Sequence, residues 1–134
     1  MIRTSRHEMD ELLRVCVDEV EDRLGFRPDV HLDWPCRTRV PAPVARAVRD
    51  ALDESLSRLA GHDGTTSAFA SVAWRADTVE ICVVDDGRAP TARVRRPAAH
   101  LDEATGIEHD VDDYDNVGTC QWWSIPMDLT PAGS

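Results

Sequence analysis

Apolar residues recur at three- and four-residue spacing between Glu8 and Leu24, at Met9, Leu13, Cys16, Val17, Val20 and Leu24. That period lines one face of an α-helix. Asp10, Glu11, Arg14, Asp18, Glu21 and Asp22 take the opposite face, and Gly25 is a natural stop. The period then changes to two. Val30, Leu32 and Trp34 alternate with His31 and Asp33, as in a half-buried strand, and Pro35 ends it. A second helix is expected from Pro41 or Pro43, because proline suits a first helical turn. Its buried stripe reads Val44, Ala47, Val48, Ala51, Leu52, Ser55, Leu56 and Leu59, and Gly61-His62-Asp63-Gly64 closes it.

Two strands follow, one through Ala68, Ala70, Val72 and Trp74 and one from Val79 to Val84. The tight connection Arg75-Ala76-Asp77-Thr78 makes them a hairpin. A last strand runs from Cys120 to Ile125 after Gly118-Thr119, and Pro126 ends it. Its adjacent Trp122 and Trp123 must face opposite sides. One enters the core, and the other is covered by a helix or exposed. Between Arg88 and Asn116 regularity is lost. A loop of that length in a compact domain is expected to be a lid or disordered. It starts basic, with Arg88, Arg93, Arg95 and Arg96, and a short helix is expected near Ala98 to Ala104. The stretch Asp110 to Asn116 lacks the glycine and terminal glutamate of a calcium loop, so it reads as a disordered acidic loop. The four arginines either bind phosphate or pair with that acidic segment; pairing requires no ligand. The element order predicts an α/β (α+β) two-layer sandwich, a mixed sheet covered on one face by helices. The expected division is a tail over 1–8, one domain over 9–128 with its lid-equivalent segment at 88–116, and a tail over 129–134.

Composition narrows the function. A net charge of -10 argues against general affinity for nucleic acid or for an anionic membrane surface. All fifteen basic residues are arginine, so a phosphate group would have to be met by arginine, backbone or metal. No apolar run approaches the ~20 residues that cross a bilayer. No apolar segment follows Met1-Ile2-Arg3-Thr4-Ser5-Arg6, so a cytoplasmic location is expected. Cys16, Cys36, Cys82 and Cys120 form no C-x-x-C pair, which argues against zinc or a disulfide framework. Cys16 and Cys82 sit in apolar patterns and read as core thiols. His31, His62, His100 and His109 lack ligand spacing and read as surface residues. His7-Glu8 has the form of a phosphoacceptor pair, but such a pair needs a two-helix hairpin and only one helix precedes the first strand.

The candidate chemistry lies at two places. The hydrophobic strand Val79 to Val84 runs into Asp85-Asp86-Gly87, which sets a carboxylate at a strand end before a sharp turn. That makes a pocket wall with one fixed acceptor, or simply a strand-to-turn signal. Asp50 and Glu54 are four apart and share a helix face. With Asp85 they are candidates to hold Mg²⁺, a hard cation that takes oxygen ligands. The plainer reading is a solvated acidic face stitched by Arg46, Arg49 and Arg58.

Taken in order, these pieces resemble the catalytic ATPase domain of sensor histidine kinases, within the GHKL superfamily and closest to its nitrate-sensor-like class. There a helix reading roughly Q-E-A-L-x-N-x-x-R-H-A precedes a hairpin ending D-D-G-x-G. Here the helix reads Arg49-Asp50-Ala51-Leu52-Asp53-Glu54-Ser55-Leu56-Ser57-Arg58-Leu59, and the hairpin ends Asp85-Asp86-Gly87-Arg88-Ala89. The resemblance spans roughly Met9 to Met127. It implies a Bergerat-type ATPase fold with ATP and Mg²⁺ as cofactors. It also implies that Asp85 accepts from the adenine amino group, that Gly87 lets the base approach the backbone, and that Thr119 closes the base pocket. Asp86 and Arg88 flank that pocket as weaker contacts. Asp50 matches the acidic residue that polarises the attacking group, and Glu54 stands at the position of the metal-binding Asn.

The departures are specific. Glu54 replaces that Asn, Arg58-Leu59 replaces His-Ala, Ala89 replaces the second glycine, and no glycine-rich second box follows. The expectation is therefore a degenerate histidine-kinase-like ATPase domain. It would act as a regulatory or protein-interaction module in signal transduction, with a protein partner, weak or absent ATP binding and no efficient turnover. The alternatives are an active catalytic domain of a two-component sensor kinase and a partner-switching protein of the anti-sigma-factor type.

Overall fold

The computed structural model describes residues 3–34, 39–61, 64–87, 106–114 and 118–129. Strand β1 (Arg3–Ser5) leads directly into helix α1 (Arg6–Leu24). The hydroxyl of Ser5 accepts from the Glu8 backbone N–H at 3.2 Å, and the Ser5 N–H donates to the Glu8 carboxylate at 3.4 Å. This capping box satisfies two backbone donors at the helix start. It also gives Glu8 a structural role beside His7. Gly25 ends the helix in the left-handed conformation, φ 79°. Strands β2 (Asp29–Asp33) and β3 (Arg39–Pro41) precede α2 (Ala42–Leu59), with Pro41 at its N-cap and Pro43 in the first turn. The hairpin of β4 (Ala68–Trp74) and β5 (Thr78–Asp85) follows, then β6 (Glu108–Tyr114) and β7 (Gly118–Pro126).

Five strands form a mixed sheet in the order β2-β4-β5-β7-β6. β2 is parallel to β4, as a crossover through α2 requires, and the other pairings are antiparallel. Both helices pack on one face. That face is built by Val79, Ile81 and Val83 of β5, Trp123 and Ile125 of β7, and Ala70 and Val72 of β4. Against them lie Met9, Leu13, Val17 and Val20 of α1 and Val48, Leu52, Leu56 and Leu59 of α2. The expected sandwich is the observed one, and no helix among the described residues is long and apolar enough to cross a membrane.

Several expectations are corrected or refined. Arg3–Ser5, which precede the first expected helix, form a strand paired antiparallel with Arg39–Pro41. The acidic stretch expected to be disordered is largely β6, an edge strand paired along β7 from Glu108–Ser124 to Tyr114–Gly118. Exposed charges such as Glu108 and Asp110 suit an edge, where they oppose further strand addition. Cys82 is no core thiol: the parity that buries Ile81 and Val83 against the helices turns Cys82 to the other face. There its Sγ lies 3.3 Å from that of Cys120. Cys16 is buried as expected, and burial followed by the Asp53 charge pushes its thiol up to about 11. Trp123 is the tryptophan that enters the core; Trp122 is half-buried on the opposite face. His31 is exposed as expected, but His109 is half-buried, because β6 carries it onto the ring of Trp123. The helix expected near Ala98 to Ala104, Cys36, His62 and His100 lie outside the described residues, as do Arg88, Arg93, Arg95 and Arg96.

Candidate functional site

The end of β5 brings one group of expected residues together. Asp85 pairs with Ala68 on one side and Thr119 on the other. Position 85 continues the inward parity of Val79, Ile81 and Val83, so a carboxylate is carried into the core layer with 3% of its surface exposed. Its Oδ1 accepts from the Gly87 N–H at 2.8 Å, the local bond by which an aspartate shapes a turn. The buried Thr119 hydroxyl donates to the Gly87 carbonyl at 3.3 Å. Asp85, Gly87 and Thr119, the three residues that the resemblance assigns to a base pocket, are thus bonded into one corner.

Two glycines and one threonine complete this corner. A Cβ on Gly118 would overlap the Asp85 carbonyl oxygen, and φ there is 150°. Only glycine lets β7 start so close to the β5 turn. A Cβ on Gly87 would overlap Thr65 Oγ1. The threonine side chain therefore rests directly on the glycine that the resemblance keeps open for a base. Asp86 faces solvent instead. Its carboxylate accepts from the backbone N–H groups of Thr66, at 2.8 Å, and Ser67, at 3.0 Å, and from the Thr66 hydroxyl. These donors, the Thr66 hydroxyl foremost, hold its carboxyl down to about 2. Asp86 ties the α2–β4 connection to the β5 turn.

The second group lies on α2 and reaches β6 and β7. Asp50 is half-buried one turn before Glu54. Arg58 Nη2 donates to Glu54 Oε1 at 3.3 Å, with 18% and 24% of the two side chains exposed. Arg58 Nη1 lies 3.2 Å from His109 Nε2. A guanidinium only donates, so that nitrogen accepts and the imidazole proton sits on Nδ1. His109 stacks on Trp123 with centroids 3.8 Å apart and planes at 21°. Burial, then the Arg58 charge, brings its pKa down to about 4, so the ring is neutral near pH 7. Burial lowers the Arg58 pKa while the Glu54 charge opposes that change. Beneath this chain, Trp123 Nε1 donates to Ser55 Oγ at 2.6 Å and Gln121 Nε2 donates to the Ser55 carbonyl at 3.0 Å.

The resemblance implies Mg²⁺ at Glu54, and the residues present do not fit it. One carboxylate oxygen of Glu54 already faces a guanidinium. Among the described residues no three His, Cys, Asp or Glu side chains come together as ligands. A hard cation needs several oxygens and is repelled by a fixed positive charge beside them. Glu54 Oε2 is buried with no hydrogen-bond donor among the described residues, so it is one oxygen that a cation could take, but a single oxygen does not make the several-oxygen shell that Mg²⁺ needs.

Sequence reasoning misses Thr65, Thr66, Gln121 and His109 as members of these groups, and it counts Ser55 only as part of the helix stripe. Parity could have found two of them. Thr119, Gln121, Trp123 and Ile125 share one face of β7, and His109 and Val111 share one face of β6. Thr65 and Thr66 carry no sequence signal, because a connecting segment has no period.

No protein-family model matches this chain, and no curated protein matches it. Solved structures do. The catalytic domain of histidine kinase ThkA aligns over 94% of this chain and 95% of its own, with a TM-score of 0.60 and 12% identity. The histidine kinase domain of the blue-light activated kinase from Erythrobacter litoralis EL346 aligns over 89% of this chain and 60% of its own, at 0.64 and 19%. Acinetobacter baumannii histidine kinase AdeS aligns over 95% and 67%, at 0.64 and 10%. The mixed sheet covered on one face by two helices is, in this chain, the fold of histidine-kinase catalytic domains.

Proposed function

We propose that this chain is a histidine-kinase-like ATPase domain that works as a regulatory or protein-interaction module in signal transduction, with weak or absent ATP binding. The observation that carries this reading is Thr65 on Gly87. The chain's own Thr65 hydroxyl lies so close to Gly87 that a Cβ there would overlap it, so the glycine that the resemblance leaves open for a base is in contact with a side chain. The Asp85 Oδ1 acceptor is meanwhile engaged by the Gly87 N–H. In this reading the chain acts in the cytoplasm on a protein partner and not on nucleic acid, in keeping with its charge of -10. Asp50 and Asp85 are then inherited positions and not working ones.

Calorimetric titration with Mg-ATP tests the proposal. No saturation below the millimolar range is expected, and tight binding accompanied by hydrolysis refutes it. Thr65→Gly, which uncovers Gly87, is expected to raise affinity for adenosine.

A second reading has its own support. Asp85, Gly87 and Thr119 remain together, and these are the residues the resemblance assigns to an adenine pocket. In that reading the chain is the active ATP-binding domain of a two-component kinase. Asp85→Asn and Glu54→Ala would then each abolish nucleotide binding; unchanged affinity in both ends it.

A further inference from the structure

The α2 edge that meets β6 is where the resemblance puts a metal, and it is where the chain's own chemistry differs most from that expectation. Three observations converge there. Arg58 places one nitrogen on Glu54 and another on His109, so the guanidinium is held from two elements. His109 is itself fixed by stacking on Trp123, and Trp123 by its bond to Ser55. The cation is therefore seated by a chain of contacts running back into α2, and is not a loose surface arginine. An ion entering at Glu54 through Oε2 would have to sit beside a guanidinium that is anchored on both sides.

We infer that Arg58 is a built-in replacement for the divalent cation at Glu54, so this position does not take up Mg²⁺ and any nucleotide contact made here is independent of metal. The inference rests on the reading of a vestigial nucleotide site and deepens it. Its chemistry is simple. A planar guanidinium on a carboxylate neutralises one charge with a fixed geometry, whereas a divalent ion needs several oxygens in a shell. The one position that the resemblance assigns to the metal has changed from an amide to a carboxylate, and the residue one turn later supplies its counter-ion. The two form an i, i+4 pair with the acid N-terminal to the base, the favourable orientation on a helix.

The test uses the full chain and Mn²⁺ alone as the probe, read by water-proton relaxation and by paramagnetic broadening of backbone amides. The wild type is expected to show no selective broadening at residues 54–58. Arg58→Gln is expected to gain Mn²⁺ affinity by at least about tenfold, a modest return for removing a unit charge about 4 Å away at an effective dielectric near 20. Adding Glu54→Gln to that variant should remove the gain. Selective broadening in the wild type that Glu54→Gln abolishes overturns the inference, and so does an Arg58→Gln variant that folds and gains nothing. The wild-type measurement stands by itself if the variant does not fold. ATP titrated in excess EDTA separates this inference from the reading beneath it. Tight binding without metal contradicts a vestigial site and leaves the Arg58 replacement standing, whereas binding that appears only with Mg²⁺ and is lost in Glu54→Gln overturns the replacement.

Discussion

The β5–β7 corner and the α2 edge are the two halves of one expected site, and they differ in what holds them. At the corner, the relevant groups are also the groups that build the turn. Asp85 closes it through the Gly87 N–H, Thr119 braces the Gly87 carbonyl, and Gly118 admits β7 beside the Asp85 backbone. Each of them therefore has a structural role in the turn, whatever else it does. Along the α2 edge, Glu54 and Arg58 are side chains on the border of a helix whose burial is secured by Leu52, Leu56 and Leu59. The fold does not need any one chemistry at that border, and there the chain carries an internal ion pair. An Asp-x-Gly turn of this kind is therefore evidence about architecture first. The helix edge is the more sensitive indicator of what chemistry the site performs.

Three perturbations separate the halves. The largest effect is expected at the corner. Gly118→Ala sets a Cβ against the Asp85 carbonyl oxygen, which is backbone and cannot swing aside. A loss of about 3 kcal/mol or more is expected from the clash and backbone strain together, measured by urea unfolding. A loss under about 1 kcal/mol would mean that the corner is not held by its backbone.

The next effect belongs to the helix edge and depends on pH. His109 titrates at about 4 in the fold, against an ordinary 6.5 when unfolded. The unfolded chain binds more protons between those values, so stability is full above 6.5 and falls as pH drops through 4. Allowing for its partial exposure, the loss is roughly 1–2 kcal/mol. His109→Gln, which keeps an acceptor for Arg58, should flatten that part of the Tm–pH profile. An unchanged slope would contradict a His109 kept neutral by its burial beside Arg58.

Asp86→Asn should give the smallest effect, up to about 1 kcal/mol for charge-assisted bonds at an exposed position. The Asp86 carboxyl is held at about 2 against an ordinary 3.8. Its contribution is present above 3.8 and fades as pH falls through 2. Variant and wild-type Tm values should therefore converge in strong acid, and a difference that persists there would contradict the hydrogen-bond account.

Much of this architecture is legible in the sequence. The three-four period marks both helices, the period of two marks the hairpin, and the Asp85-Asp86-Gly87 turn marks the strand end. Strand β1 escapes that reading, although Ser5-x-x-Glu8 is a legible capping box that places the helix start at Arg6. Strand β6 escapes it because its acidic residues resemble those of a solvated loop; only the neighbouring β7 gives Glu108 to Tyr114 a ladder. Cys82 is misplaced because an apolar strand reads as buried on both faces when, among the described residues, helices cover only one.

The sequence by itself determined the two helices, β2, the β4–β5 hairpin, β7 and the acid at Glu54 with a base one turn later, because periodicity and residue identity are local properties. Tertiary structure alone decided that Arg58 lies between Glu54 and His109, and that Thr65 rests on Gly87. His109 is 51 residues from Arg58, and the whole β4–β5 hairpin separates Thr65 from Gly87. Contacts over such separations are set by strand register and by how α2 lies on the sheet, and no local pattern encodes them.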